Sequence, residues 1–100
     1  MALTLTDERL EEVIVYMKAQ EQAEDPTERE LIRRLCLASM IYLSEAPAVE
    51  TEDNADLYWL VVSAMTLHAY DHRDEVGVVP DGVRPALNQI KLVTDYADSK

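Results

Sequence analysis

The sequence predicts an all-α fold, a small four-helix bundle in one domain over residues 1–100. Composition is the first indication: Leu, Ala, Glu and Met are plentiful, while the chain has only 2 Gly, 4 Pro and no Phe. Spacing is the second, because apolar residues recur three and four positions apart, which places them on one face of a helix. The length suits one hydrophobic core. We therefore expect helices over about residues 6–20, 26–45, 55–72 and 83–97.

The first two helices have clear start signals. Thr6 precedes two acids, which is typical of an N-cap followed by carboxylates at the positive end of the helix dipole. Asp25 precedes a proline at the first helical position, and Glu28 follows three residues after the cap. The pair Ala46-Pro47 should end the second helix. The apolar face of the first helix is predicted to contain Leu10, Val13, Ile14 and Met17.

The third helix is apolar around most of its circumference. Asp53 or Asn54 can cap it. Such a helix must be buried on several sides. Three neighbours can hardly enclose it, so we expect another subunit to cover part of it; central burial within the monomer is the alternative. One face is formed by Leu57, Leu60, Val61, Ala64 and Leu67, and the remaining circumference, the expected subunit interface, by Tyr58, Trp59, Val62, Met65 and Tyr70.

The fourth helix follows a loop marked by Gly77 and by Pro80-Asp81-Gly82. Pro85 fits only the first turn of a helix, so residues 80–84 should form a turn or a 3₁₀ entry. The apolar ridge of this helix is predicted to contain Ala86, Ile90, Val93 and Ala97.

Charge restricts the possible partners. The chain has 20 Asp and Glu against 9 Lys and Arg, a net charge of −11. A field of this sign repels nucleic-acid phosphate and anionic lipid, and the densest basic cluster is only Arg29, Arg33 and Arg34. No classical DNA-binding module is expected. The longest uncharged run, residues 57–70, is too short to cross a membrane, and the N-terminus lacks a signal-peptide pattern, so we expect a soluble, unexported protein.

The residues that could carry chemistry do not form a recognisable catalytic pattern. His68 and His72 are one turn apart and Glu75 would follow, so a divalent metal site is conceivable. The segment lacks the Glu that a zincin motif has after its first His, and no second helix offers a further ligand cluster. Cys36 lies in an apolar run and is expected to be an inert core thiol. We expect no enzyme, no metal and no cofactor.

Three segments resemble the pattern of small bacteriophage head-tail connector (adaptor) proteins. Leu5-Thr6, followed by an acidic amphipathic helix, resembles the opening of that family. The apolar run over residues 57–74 ends in Tyr70-x-x-Arg73, as the family pattern does. After a short loop comes Pro80-x-Gly82-Val83, and the segments occur in the family's order.

The resemblance implies a helical ring protein of about twelve copies beneath the portal of a long-tailed phage. Such a ring extends the DNA channel without binding DNA specifically, and it docks the stopper or tail-completion protein. The implied partners are further copies, the portal and the stopper; the implied location is the virion, with host cytoplasm before assembly. The matching residues Tyr70, Arg73, Pro80, Gly82 and Val83 would hold the helix-loop-helix geometry and the subunit contact.

An acidic binding protein is the alternative function. A net charge of −11 would also suit a small protein that mimics DNA charge or caps a basic partner, such as a regulatory factor of phage or bacterial origin. Assembly state separates the two, because a mimic should stay a monomer or dimer.

Overall fold

Four helices contain most of the chain. The computed structural model describes residues 4–46 and 48–98, and within these ranges it contains no strand. The helices are α1 (Asp7–Met17), α2 (Pro26–Glu45), α3 (Ala55–Asp71) and α4 (Arg84–Asp98), with 3₁₀ turns at Gln22–Glu24 and Asp81–Val83. The predicted all-α four-helix fold is confirmed.

The two predicted N-caps are confirmed. The backbone N–H of Arg9 donates to Thr6 Oγ1 at 3.1 Å, and that of Thr27 donates to Asp25 Oδ1 at 2.9 Å. Each bond satisfies one of the N–H groups that the first turn of a helix leaves without a partner. Side-chain chemistry at these two positions therefore fixes where α1 and α2 begin.

One boundary differs from the prediction, and the start of α3 at Ala55 agrees with it. α1 ends at Met17 and not near Gln20, because Lys18 adopts a left-handed conformation (φ 56°) and the N–H of Ala19 turns back to the carbonyl of Ile14 at 3.0 Å. Asn54 holds the N-cap position of α3, but its side chain makes no capping bond.

The Asn54 side chain instead organises the loop before α3. Its Oδ1 accepts the N–H of Thr51 at 2.7 Å, and its Nδ2 donates to the carbonyl of Val49 at 3.0 Å. The side chain is buried in the loop, where it satisfies backbone groups that helix formation would not reach.

α3 is the central helix and packs against each of the other three. It runs antiparallel to α2: Glu28 near the start of α2 bonds Tyr70 near the end of α3, and Cys36 farther along α2 faces Thr66. It runs in the same direction as α1, since Arg9 lies over the ring of Trp59 and Tyr16 lies near Leu67.

The prediction that another subunit covers part of α3 is wrong for four of its five residues. Tyr58, Trp59, Val62 and Met65 are 3%, 6%, 0% and 1% exposed within the single chain, so the alternative of central burial is the observed one. Contacts from α1, α2 and α4 enclose the helix more fully than we expected from a four-helix chain. Leu60, predicted to share one face with Leu57 and Val61, instead points away from the core and is 39% exposed.

The entry to α4 confirms the predicted 3₁₀ turn. The N–H of Val83 donates to the carbonyl of Pro80 at 3.1 Å, and α4 follows at Arg84. Leu87 and Ile90 bury one side of this helix against the core. The side chains of Val93 and Ala97, predicted to continue the ridge, lie outside the described residues, as does Pro47.

Candidate functional site: an interaction surface around the α3–α4 connection

The C-terminal end of α3 is fastened to the start of α2 through Tyr70. The Tyr70 hydroxyl donates to Glu28 Oε2 at 2.7 Å, and this bond is the main reason why the pKa of Tyr70 is raised. Arg73 places its guanidinium over the Tyr70 ring, 5.4 Å from the centroid, a cation–π distance. Arg73 lies two residues beyond the end of α3, so the turn that follows the helix, and not helical spacing, brings its guanidinium to the Tyr70 ring.

The two arginines that flank this connection have different partners. Arg84 pairs with Asp81 at 3.0 Å, within the first residues of the turn and α4. Arg73 lies over an aromatic ring, and its side chain is exposed just beyond the end of α3.

The segment Pro80-Asp81-Gly82-Val83 connects the loop to α4. Val83 is 9% exposed and packs in the core, while Pro80 is partly exposed. Gly82 is exposed, and a Cβ built on it would meet nothing within 4 Å. Gly82 therefore does not serve a close approach within the chain. Tyr70 and Arg73 lie at one end of the connection between α3 and α4, and the Pro80 turn lies at the other. The other predicted interface residues are in the core and away from any surface site: Tyr58, Trp59, Val62 and Met65.

Trp59 takes part in an anchored cluster at the other end of α3. Its Nε1–H donates to Glu50 Oε2 at 2.6 Å, and the Arg9 guanidinium lies 5.2 Å from its ring centroid. Tyr58 meets Trp59 edge to face with centroids 5.3 Å apart. Arg9 also approaches Glu50 at 3.7 Å. These contacts join α1, the loop before α3 and α3 itself, so the cluster has a structural role.

His68, His72 and Glu75 come together where α3 ends. Glu75 Oε2 lies 3.3 Å from His68 Nε2 and 3.6 Å from His72 Nδ1, and the imidazole centroids are 4.7 Å apart. His68 Nε2 is buried without a hydrogen bond. Among the described residues, however, no group of three or more His, Cys, Asp or Glu side chains is arranged to hold a metal ion. The two imidazoles border an open hollow of about 240 Å³ that Tyr16, Leu67 and Pro80 also line.

Two further groups shift their proton affinity through burial. Burial raises the pKa of the Cys36 thiol to about 11, although a hydrogen bond with Thr66 works in the opposite direction. Burial also raises the pKa of Tyr58 to about 12, with a smaller effect from the Glu50 carboxylate. A thiol with this pKa is a poor nucleophile near neutral pH, which agrees with the expected inert role of Cys36.

The predicted basic cluster on α2 is paired with acids. Arg33 and Arg34 both bond the carboxylate of Glu30, at 3.2 and 3.3 Å, and the hydrogen bond from Arg33 is the largest cause of the lowered pKa of Glu30. Arg29 forms an ion pair with Glu11 on α1. The three arginines therefore do not form an unpaired positive patch.

The end of α2 and the loop after α3 expose apolar side chains that the helical patterns did not predict to form a surface. Ile41 and Tyr42 near the end of α2 are 50% and 40% exposed, and Val76 and Val78 in the loop after α3 are 46% and 39% exposed. Gly77 lies between the two valines, and a Cβ built on it would lie 3.4 Å from Cδ2 of the Tyr42 ring. The loop therefore rests on α2. We call Ile41, Tyr42, Val76 and Val78 the α2–loop patch.

A signal for this patch was present in the sequence. Val76-Gly77-Val78-Val79 is an apolar run within a connection, where polar residues are usual. The exposure of the Tyr42 ring depends on the course of the loop, which the sequence alone does not show. Val15, Tyr16 and Leu60 are further exposed apolar residues.

Comparison with known proteins gives no match: no family model, no curated protein and no solved structure corresponds to this chain. Among the described residues, no helix combines the length and the apolar character needed to cross a membrane.

Proposed function

We propose that this protein is a structural subunit of a bacteriophage head-tail connector, an adaptor that forms a ring beneath the portal. The observation that carries the proposal is the connection between α3 and α4. The residues that match the connector pattern lie at its two ends: Tyr70 and Arg73 stack at the end of α3, and Pro80 and Val83 close the 3₁₀ turn before α4. Among the matching residues, Tyr70 bonds Glu28, Val83 packs in the core and the carbonyl of Pro80 accepts the Val83 N–H, whereas Gly82 is exposed.

The charge of the chain also supports the proposal. A ring of subunits that each carry −11 would line a conduit with negative charge, and DNA would pass it without adhering. The arginines on α2 are paired with acids, so they offer little attraction to phosphate. In this proposal the DNA is a passenger and not a bound ligand.

The ring contact in this proposal uses exposed side chains. Tyr58, Trp59, Val62 and Met65 are already buried in the monomer, so they act as core residues. Val15 and Tyr16 on α1, exposed by 56% and 42%, are the apolar positions outside the α2–loop patch that best suit a contact between neighbouring copies. A head-to-tail contact of this kind closes into a ring when the rotation between copies divides a full turn.

Complementation of phage heads tests the proposed function. DNA-filled heads that lack this protein should fail to join tails, and the purified protein should restore joining. Tyr16→Glu should restore much less, because it places a charge in the proposed ring contact, while Thr4→Glu, an exposed position before α1, should restore joining fully. Normal tail joining by heads without the protein would refute the proposal.

An acidic binding protein is the second candidate, and one observation favours it. Residues 35–72 contain six acids and no Lys or Arg, so a large part of the chain is uniformly negative. A protein of this kind would bind a basic partner as a monomer or dimer and would not form a ring.

A further inference from the structure

The α2–loop patch combines exposed apolar side chains from two segments of the chain, the end of α2 and the loop after α3. Scattered exposed apolar residues are ordinary on a monomer, but adjoining ones mark places where another molecule binds. Here the loop backbone at Gly77 lies against the Tyr42 ring, so the valines on either side of it extend the apolar surface of α2. Four large side chains, each at least 39% exposed, thus belong to one region.

The loop conformation keeps this apolar surface outside the core. Gly77 adopts φ 86°, a conformation that residues with a side chain rarely take. Val79, two residues later, turns inward and is 5% exposed, while Val78 stays outside. The loop is therefore fixed to the core at Val79, and its outer side presents Val76 and Val78.

The charged residues next to the patch along the chain are mainly acids. From residue 35 to residue 72 the chain has no Lys or Arg, and none occurs from residue 74 to residue 83. Arg73, between these ranges, is stacked on the Tyr70 ring. Glu45 is exposed and lies four residues after Ile41 on α2, which places it beside the patch. Asp74 is exposed next to the loop.

We propose that the α2–loop patch binds a cationic amphipathic helix of a partner protein, with apolar side chains on the patch and Lys or Arg beside the acids. Apolar contact would supply affinity, and charge complementarity would select the partner. A second copy of this chain is a poor occupant, because the exposed apolar residues Val15 and Tyr16 of α1 follow Glu11 and Glu12 by one turn, and the acids beside the patch would repel these carboxylates. The inference rests on the proposed function for the role of this partner in assembly, whereas the binding itself requires no ring.

A designed peptide tests the proposal directly. The probe is a fluorescein-labelled 14-residue peptide of Leu and Lys with helical amphipathic spacing; two companions replace its Lys by Glu or its Leu by Ser. Fluorescence anisotropy with the full-length protein should show binding of the Leu/Lys peptide at least about tenfold tighter than of either companion. Equal binding of the Ser/Lys peptide would overturn the proposal, because charge alone would then explain the binding.

Matched variants locate the binding on the protein. Val78→Ser should weaken binding of the Leu/Lys peptide about five- to tenfold, since the apolar contact of an exposed valine is lost. Leu60→Ser, at an apolar position on α3 that is equally exposed at 39%, should leave binding unchanged. Ile41→Ser on α2 provides a second test of the patch if Val78→Ser alters the circular dichroism melt.

Two further results would overturn the proposal. One is an equal loss of peptide binding in Leu60→Ser and Val78→Ser. The other is a dimer in light scattering that Val78→Ser dissociates, because the occupant of the patch would then be a second copy. Neither result depends on ring formation with a portal, so this inference and the proposed function fail separately.

Discussion

Truncation of Trp59 should unfold the protein at a much lower temperature and not merely separate subunits. The side chain is 6% exposed, contacts Tyr58 edge to face and donates to Glu50. Replacing a core Trp by Ala costs about 3–5 kcal/mol of unfolding free energy. A domain of this size loses about 4–8 °C in melting temperature per kcal/mol, so Trp59→Ala should lower the melting temperature by roughly 12–40 °C.

The assay for Trp59 is the far-UV circular dichroism melt, measured beside sedimentation velocity. Leu60→Ala is the matched control, because Leu60 is the next residue of α3 and is 39% exposed. Its cost should stay below about 1 kcal/mol. If Trp59→Ala melted like the parent protein and lost only its higher oligomers, the side chain would belong to a subunit interface, and the central position of α3 would be refuted.

The remaining predictions concern pH, two contacts of Tyr70, and salt. Because the pKa values of Cys36 and Tyr58 are raised, the folded state keeps protons at high pH that the unfolded state has lost. Urea titrations should therefore show that the contribution of these groups to the free energy of unfolding is complete below about pH 9 and falls between about pH 9 and 12. The fall should be near about 1.4 kcal/mol per pH unit for each group while it titrates. Tyr58→Phe should flatten the part of this fall above about pH 10, and an unchanged slope would contradict the burial argument. Tyr70→Phe removes the bond to Glu28 and should lower the free energy of unfolding by about 1 kcal/mol; no change in urea midpoint would mean that the bond contributes nothing. Arg73→Ala should cost below about 1 kcal/mol in the same assay yet reduce head-tail joining clearly, and full joining would remove its docking role. Higher salt should strengthen self-association by screening the −11 charges, whereas rings that dissociate in salt would show that ion pairs between copies dominate.

Much of the fold follows from short-range chemistry that the sequence displays. The caps at Thr6 and Asp25 and the 3₁₀ turn before Arg84 were predicted because each depends on residues within one helical turn. The end of α1 at Met17 was not, since the left-handed Lys18 is not a glycine or asparagine and no local signal marks it. Asn54 takes the predicted N-cap position of α3, but its side chain bonds the preceding loop and makes no capping bond.

The candidate site was predicted less well because it depends on tertiary packing. An apolar residue on α3 has the same sequence signal whether the helix contacts its own chain or another one, so Trp59 and Val62 were assigned to a subunit interface although both are buried in the monomer. The contact between Tyr70 and Glu28 joins residues 42 positions apart and has no local pattern. The exposure of Tyr42 likewise depends on where the loop at Gly77 lies.

The size of the assembly formed with the portal protein of the same genome tests the central claim most directly. Negative-stain electron microscopy and native mass spectrometry of the purified mixture should show a closed ring of about twelve copies seated on the portal. A protein that remains a monomer or dimer beside intact portal rings, at both low and high salt, would contradict the connector proposal and favour an acidic binding protein.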